Sequence, residues 1–319
     1  MTFKRPRLRA DRRLVNAVGA VGLIFLAACG APSSNVETDT PVPETRVFSD
    51  SLALPVVWGT QPLPDAVTDI AFSGGSSPVL AVVFDTGALQ LFDLNGDALI
   101  EPGGLPIQAI ATGNTVSVDG TPLTLFPVIR ENGTLAVSAY NAALEAPLDL
   151  PLIDDVNTLG LCASVSDGDG AVFNLGYWTA TEPEILIEGT VDIDGTDLSF
   201  TEVERTKADD PITGCYVDAG GVLTMSPTGV TVFVLPTETS AVPLALENGV
   251  LSVFQGSEIT LRDGISITAP SPINAASALS DVRFGGYPDG VIAVAGRTRP
   301  GLDQVVFVEP GGLTTANLD

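Results

Sequence analysis

The sequence predicts an all-β protein, because short apolar strands alternate with turn signals along most of its length. Runs rich in Val, Ile, Leu, Phe and Thr recur from about Val47 to Glu309. After Cys29, apolar residues show no sustained 3.6-residue period, so we expect no substantial helix there. Asn-Gly and Asp-Gly dipeptides favour the type I′ turn of a β-hairpin. They lie at Asn95-Gly96, Asp119-Gly120, Asn132-Gly133, Asp169-Gly170, Asp194-Gly195, Asn248-Gly249, Asp263-Gly264 and Asp289-Gly290.

The length of this β region favours a six-bladed β-propeller over residues 49–319. About 265 residues is long for one sandwich, and division by six gives repeats of about 44 residues, a usual propeller blade. Two segments share the pattern of a strand, a glycine turn and a second strand: Leu80–Phe92 and Val222–Phe233. Stacked sandwiches are the alternative.

The first 28 residues have the layout of an export signal. A basic stretch from Lys4 to Arg13 precedes an apolar run from Leu14 to Ala28, and Leu26-Ala27-Ala28-Cys29 closes it. This end resembles the signal of bacterial lipoproteins, which implies that Cys29 becomes the lipidated first residue. The alternative is a plain secretory signal with an incidental cysteine.

Residues 29–48 are expected to form a flexible tether behind the lipidated Cys29, since they are rich in proline and poor in apolar residues. The apolar run before it is short for a membrane span. We therefore expect a protein that is anchored to the cell envelope by lipid. Because no Asp follows Cys29, we expect the anchor to lie in the outer membrane, with the protein facing the periplasm.

The charge excludes nucleic acid as a partner. The chain carries 14 Lys and Arg against 39 Asp and Glu, a net charge of −25. Without residues 1–28 the net charge is about −30, which repels polyanions and attracts cations. Adaptation to a salty medium explains the same acidity equally well.

Histidine is absent from the chain, which excludes Ser-His and Cys-His nucleophile systems and imidazole zinc sites. Beyond Cys29, the cysteines are Cys162 and Cys215. In an oxidising compartment such a pair indicates a disulfide. A metal site built from two thiols is the weaker alternative.

Several segments, in order along the chain, resemble the β-propeller phytases, calcium-dependent six-bladed enzymes that release phosphate from inositol hexakisphosphate. The similar segments are Ala53–Trp58, Thr86–Gly96, Leu159–Cys162, Thr213–Asp218, Tyr287–Ala295 and Gln304–Pro310. The resemblance implies six blades, and it favours a bond between Cys162 and Cys215 across neighbouring blades. It also implies a calcium site of acidic residues around the central channel.

The residues that would carry phytase chemistry are mostly replaced. Ala53-Leu54 stands where the family has an acidic pair, and Phe84-Asp85 where it has two lysines. Thr213 replaces a glutamate, and the run Ala278–Asp281 keeps one of two acids. Asp281 is therefore the one candidate metal ligand, with calcium as the possible ion, and no catalytic residue is assigned.

Two acidic clusters have the alternating carboxylates of a calcium loop, Asp167–Gly170 and Asp192–Asp197. A full loop needs a bidentate glutamate at its twelfth position, and counting from Asp192 that residue is Val203. We interpret both clusters as solvated hairpin turns.

The sequence thus predicts a lipid-anchored envelope protein whose phytase-like propeller is a non-catalytic binding or assembly module. Its expected partners are the membrane, through the lipid, and an envelope protein or cell-wall ligand. One alternative is a calcium-dependent phytase with a displaced acidic site. The other is a purely structural envelope protein without a small-molecule ligand.

Overall fold

The computed structural model describes the residues that form most of the β region, and all of them belong to one compact unit, Arg46–Asp319. The described residues are 52–53, 56–75, 77–154, 156–166, 171–195, 197–218, 221–225, 231–236, 241–247, 250–253, 265–266, 273–279, 287, 290–299 and 302–309. The predictions for residues 1–48, including Cys29, and for Asp281 lie outside this set.

The described residues form strands joined by turns, which confirms the all-β prediction. The first strands are β1 Leu52–Ala53, β2 Val56–Gly59, β3 Val67–Phe72, β4 Leu80–Phe84, β5 Leu89–Phe92, β6 Ile107–Ile110, β7 Asn114–Val118, β8 Thr121–Arg130, β9 Leu135–Tyr140, β10 Leu148–Ile153, β11 Thr158–Val165 and β12 Ala171–Thr179. The others are β13 Ile185–Asp194, β14 Asp197–Lys207, β15 Gly214–Asp218, β16 Gly221–Met225, β17 Thr231–Pro236, β18 Ala241–Glu247, β19 Val250–Val253, β20 Ile265–Ser266, β21 Ile273–Leu279, β22 Val291–Arg299 and β23 Leu302–Val308. Among these residues there is no helix long and apolar enough to span a membrane.

The strands pair into small sheets that follow one another along the chain. Neighbours within the sheets are ordered β3-β4-β5, then β6-β8-β9-β10 with β7 beside β8, then β11-β12-β13-β14. Further along come β15-β16, β17-β18-β19 and β21-β22-β23-β2, while β1 pairs with β20. Apart from β1–β20, all these strand pairs are antiparallel, and the arrangement is propeller-like, as the sequence predicts.

The first strands of successive sheets contact one another. β3 contacts β6, which contacts β11, and the series continues through β15 and β17 to β21, which contacts β3. The link between the first two sheets includes a parallel bridge between Ser73 and Gly113. In the last sheet, β2 from the start of the domain pairs with β23 from its end.

Apolar side chains fill the spaces between neighbouring sheets. One core cluster joins β3 to β5 with β21 to β23, and at its centre Phe72 lies against Phe307 with ring centroids 6.2 Å apart. Equivalent clusters join the second sheet to the first and to the third. The first and second sheets are thus covered on both sides by apolar residues of their neighbours, because their strands carry continuous apolar runs such as Leu80–Phe84.

Three of the described turn dipeptides, Asp119-Gly120, Asn132-Gly133 and Asp194-Gly195, lie at hairpin turns between paired strands. Asp119 and Gly120 form the two-residue turn between β7 and β8, and both have positive φ, 50° and 79°. This is the predicted type I′ geometry. At Asn132-Gly133 only the glycine has positive φ, and the Asn132 side chain instead accepts a hydrogen bond from the backbone N–H of Thr134.

A buried carboxylate, Asp303 of β23, ties the last sheet to β3. It is 3% exposed, and its Oδ2 accepts hydrogen bonds from Val67 N and Asn274 Nδ2, both at 3.0 Å. Its Oδ1 lies 3.6 Å from Nε of Arg297. One carboxylate therefore connects β3, β21 and β22.

Replacing Asp303 with alanine is expected to lower the free energy of unfolding by about 2–3 kcal/mol, because the buried Val67 N–H loses its acceptor. The measurement is urea denaturation. Asp303→Asn, which keeps an acceptor oxygen, should recover part of the loss. Equal stability of the alanine variant and the unsubstituted protein would show that this carboxylate does not hold the sheets together.

Candidate functional site

A cavity of about 490 Å³ lies among the first strands of five sheets, β3, β6, β11, β15 and β21. Strands that are far apart in sequence build it together, so its wall is fixed by the packing of the sheets. A volume of roughly 300–1,000 Å³ is usual for a small-molecule site. The cavity is the candidate functional site of the described part of the chain.

The wall of this cavity is mostly apolar. Aliphatic side chains and one indole contribute most of it, among them Ala71, Ala109, Leu159, Leu161, Trp178 and Leu279. Hydroxyl groups come from Thr112, Ser164, Thr213, Tyr216 and Ser277. Among the described lining residues, Asp69 is the only carboxylate.

Asp69 lies in β3 and is held by backbone groups on both sides. Its Oδ1 accepts a hydrogen bond from its neighbour Ile70 N at 2.9 Å, and its Oδ2 accepts one from Ile110 N of β6 at 3.0 Å. The carboxylate thus joins the first strands of two adjacent sheets. The side chain is half-buried, and it borders the cavity.

The position of Asp69 is repeated in other sheets, but its carboxylate is not. In four first strands the pairing with the next strand shifts by one residue after the first pair, leaving Thr68, Gln108, Leu159 and Asn274 as bulges. The residues directly after these bulges are Asp69, Ala109, Gly160 and Ala275. Three of the four positions thus carry a small residue, and only the first carries an acid.

Burial raises the pKa of the Asp69 carboxyl to about 6, although the backbone N–H groups of Ile110 and Ile70 act in the opposite direction. The cause is loss of water around the charged form. The pKa in the unfolded chain is about 3.9. Between these values the folded state binds more protons than the unfolded state, so ionisation of Asp69 lowers stability as the pH rises through this window.

We expect the ¹³C carboxyl resonance of Asp69 to titrate with a midpoint near pH 6. Relative to Asp69→Ala, the unsubstituted protein should lose about 2 kcal/mol of stability between pH 4 and pH 7. NMR titration and urea denaturation at both pH values are the measurements. A midpoint near pH 4 would contradict the burial of this carboxyl.

The disulfide between Cys162 and Cys215 is confirmed. It joins β11 to β15, with the two Cα atoms 5.6 Å apart. Both cysteines line the cavity and pack with Trp178, Ile212 and Val217. The bond therefore fixes one side of the cavity wall.

Gly160 allows Trp178 to take its place in that wall. The two residues are paired across β11 and β12, and a Cβ atom on Gly160 would lie 2.2 Å from Cζ2 of the indole. Real Cβ atoms do not approach so closely, so the indole occupies the space that a side chain at residue 160 would need.

Thr213 and Ala278, which stand where the resemblance places phytase site residues that this chain has lost, line the cavity. The cluster Asp192–Asp197 belongs to a hairpin in which Asp194 pairs with Asp197 and Gly195 has φ of 64°, as predicted. Asp167–Gly170 lies outside the described residues. Within the described part of the chain, no group of three or more His, Cys, Asp or Glu side chains could hold a metal ion.

Asp69 was not among the residues predicted to form a site. The sequence offers one signal for Asp69. It is an acid inside the strand Val67–Phe72, in which every other side chain is apolar or threonine. An ionisable residue within such a strand is unusual, because burial of a charge is costly. That it faces a cavity depends on the packing of five sheets, which the local sequence does not contain.

The fold thus defines an all-β protein of propeller-like architecture. No protein-family model and no curated protein matches the chain.

Three solved structures show limited likeness to it. A triple mutant of AofleA from Arthrobotrys oligospora has a TM-score of 0.46 at 12% identity, covering 77% of this chain and 85% of its own. Raptor from Chaetomium thermophilum has a TM-score of 0.43 at 12% identity, and the match covers 81% of this chain and 29% of Raptor. Glutaminyl cyclase from Myxococcus xanthus has a TM-score of 0.39 at 14% identity, and the match covers 80% of this chain and 97% of the cyclase. None of these likenesses carries an argument about function.

Proposed function

We propose that this chain is a lipid-anchored envelope protein whose six-bladed β-propeller binds a small ligand in its central cavity. The lipid is attached at Cys29, and residues 29–48 form the tether. The protein acts as a binding module, not as a phytase. The observation that carries the proposal is the mainly apolar cavity of about 490 Å³.

The contacts of the first strands support six blades. Six of them, β3, β6, β11, β15, β17 and β21, contact one another in a closed series. The pairing of β2 with β23 supports closure, since the two ends of the domain then share one sheet. In a closed ring the first strands surround a central channel, and the described lining residues of the cavity come from at least five of these six strands.

The chemistry of the wall supports binding in place of phosphate hydrolysis. Calcium prefers six to eight oxygen ligands, largely carboxylates. Thr213, which stands where the phytases have a glutamate, lines the cavity with a hydroxyl, and Ala278 adds a methyl group. Phe84, which stands at the family's lysine pair, is 1% exposed and belongs to the core. An apolar wall with one carboxylate suits an organic ligand.

Isothermal titration calorimetry with 2-naphthylmethanol, a neutral apolar probe, tests the cavity as a binding site. The full chain is used in a non-ionic detergent. Ala276 is half-buried and lines the cavity, so Ala276→Phe should fill it and weaken binding at least about tenfold. Ala142→Phe, at an exposed loop position, is the matched control and should bind as the unsubstituted protein does. Equal binding by all three proteins would overturn the cavity as the site.

The anchor is tested separately by metabolic labelling with radioactive palmitate. The full chain should incorporate label, and Cys29→Ala should not, because the thiol that carries the lipid is gone. Equal labelling of both proteins would contradict lipidation at Cys29.

A further inference from the structure

Asp69 has hydrogen-bonding capacity that the protein does not use. A carboxylate has about four acceptor sites. The structure gives Asp69 two hydrogen bonds, from Ile70 N and Ile110 N. The open space beside this residue is the cavity, so a ligand there can approach the remaining acceptor sites.

No positively charged side chain stands among the described residues that line the cavity with Asp69. The buried Asp303 is different, because Arg297 lies 3.6 Å from it. Asp149, half-buried like Asp69, is paired with Arg130. A carboxylate removed from water without a cationic partner is costly, and a cation brought by a ligand would offset that cost.

The fold of β3 does not require an acid at this position. Ala109, Gly160 and Ala275 follow the same bulge in their own strands without a carboxylate. The bulge therefore forms with an apolar or absent side chain, so the bulge alone does not explain a carboxylate at Asp69. The net charge of −25 adds a long-range attraction for cations.

We propose that the cavity binds small organic cations, with an ammonium group donating to Asp69 and an apolar body lying against Leu159, Leu161, Trp178 and Leu279. The inference rests on the proposed function and names the ligand class of the same cavity. A bare metal ion does not fit as well, because one carboxylate in an apolar wall supplies too few oxygen ligands.

The first test compares 2-naphthylmethylammonium with 2-naphthylmethanol, which has the same apolar body without the charge. Calorimetry at pH 7.5 on the full chain should show at least about tenfold tighter binding of the ammonium, as a charge-assisted hydrogen bond adds about 1.5–3 kcal/mol. Ala276→Phe should weaken both probes. If the alcohol binds the cavity as tightly as the ammonium, the cavity is a binding site but the cation inference is wrong. If neither probe binds, the proposed function fails with it.

The second test is the pH dependence of ammonium binding. With a carboxyl pKa of about 6, Asp69 is about 3% ionised at pH 4.5, so ammonium affinity should fall toward that of the alcohol, by up to about thirtyfold from pH 7.5. The strands β4, β6 and β21, which pack near β3, carry no titratable side chain. Among the described side chains, the other groups nearby are Tyr216 in the cavity wall, Arg297 of β22 and Asp303 of β23. Alcohol binding should not change with pH, and an unchanged ammonium affinity would overturn the inference.

The third test is substitution. Asp69→Asn removes the charge at almost the same volume and should abolish the preference for the ammonium over the alcohol. Asp85→Asn, at an exposed turn after β4, is the matched control and should keep the preference. Alcohol binding reports whether Asp69→Asn still forms the cavity. If Asp69→Asn binds the alcohol and still prefers the ammonium, Asp69 is not the recognition group. If this variant does not fold, the pH dependence of ammonium binding to the unsubstituted protein tests the role of Asp69.

Discussion

Replacing Phe307 with alanine is expected to lower the free energy of unfolding by about 3–5 kcal/mol, the usual cost of a buried Phe-to-Ala change. Phe307 is fully buried, with ring centroids 6.2 Å from Phe72 and 6.4 Å from Tyr287. It lies in the core cluster that joins the first sheet to the last. The lost side chain would leave a cavity at the junction where the two ends of the domain meet.

Urea denaturation followed by tryptophan fluorescence measures this effect. Val203→Ala is the matched control, since Val203 is 69% exposed, and its stability should change by no more than about 0.5 kcal/mol. A loss below about 1 kcal/mol for Phe307→Ala would contradict close packing between the first and last sheets.

Removing the disulfide has the second large expected effect. Cys162 and Cys215 are separated by 53 positions, and the chain-entropy estimate for a loop of this length is about 4 kcal/mol. The double variant Cys162→Ser, Cys215→Ser should therefore unfold at lower urea concentration. Because the bond borders the cavity, probe binding should weaken as well.

Reduction provides the control for this prediction. Dithiothreitol should lower the stability of the unsubstituted protein to that of the double variant and leave the double variant unchanged. Two reactive thiols in the denatured, unreduced protein, beyond any at Cys29, would show that the bond does not form.

Local sequence carried most of the information on strands and turns. Asp119-Gly120 was predicted to form a type I′ turn, and both residues have positive φ. The same reasoning was incomplete at Asn132-Gly133, where the asparagine accepts a backbone hydrogen bond and stays at negative φ. A dipeptide shows that a hairpin turns there, while the loop length selects the turn type.

The candidate site was far less accessible to sequence reasoning. The disulfide could be predicted, because beyond Cys29 the chain has only two cysteines. Asp69 could not be placed in a cavity, since its neighbours there include Leu159, Tyr216 and Leu279, distant in sequence. Motif comparison searched for acidic clusters, and a single carboxylate in an apolar wall has no motif.

Phosphate release from inositol hexakisphosphate tests most directly whether this propeller is a binding module or an enzyme. The full chain, shown to be folded by its cooperative unfolding, is assayed with and without millimolar calcium beside an active β-propeller phytase. We expect no calcium-dependent release above the background of a protein-free sample. Calcium-dependent turnover that is absent from the protein-free sample would contradict the binding-module proposal and mean that other acids rebuild a catalytic site.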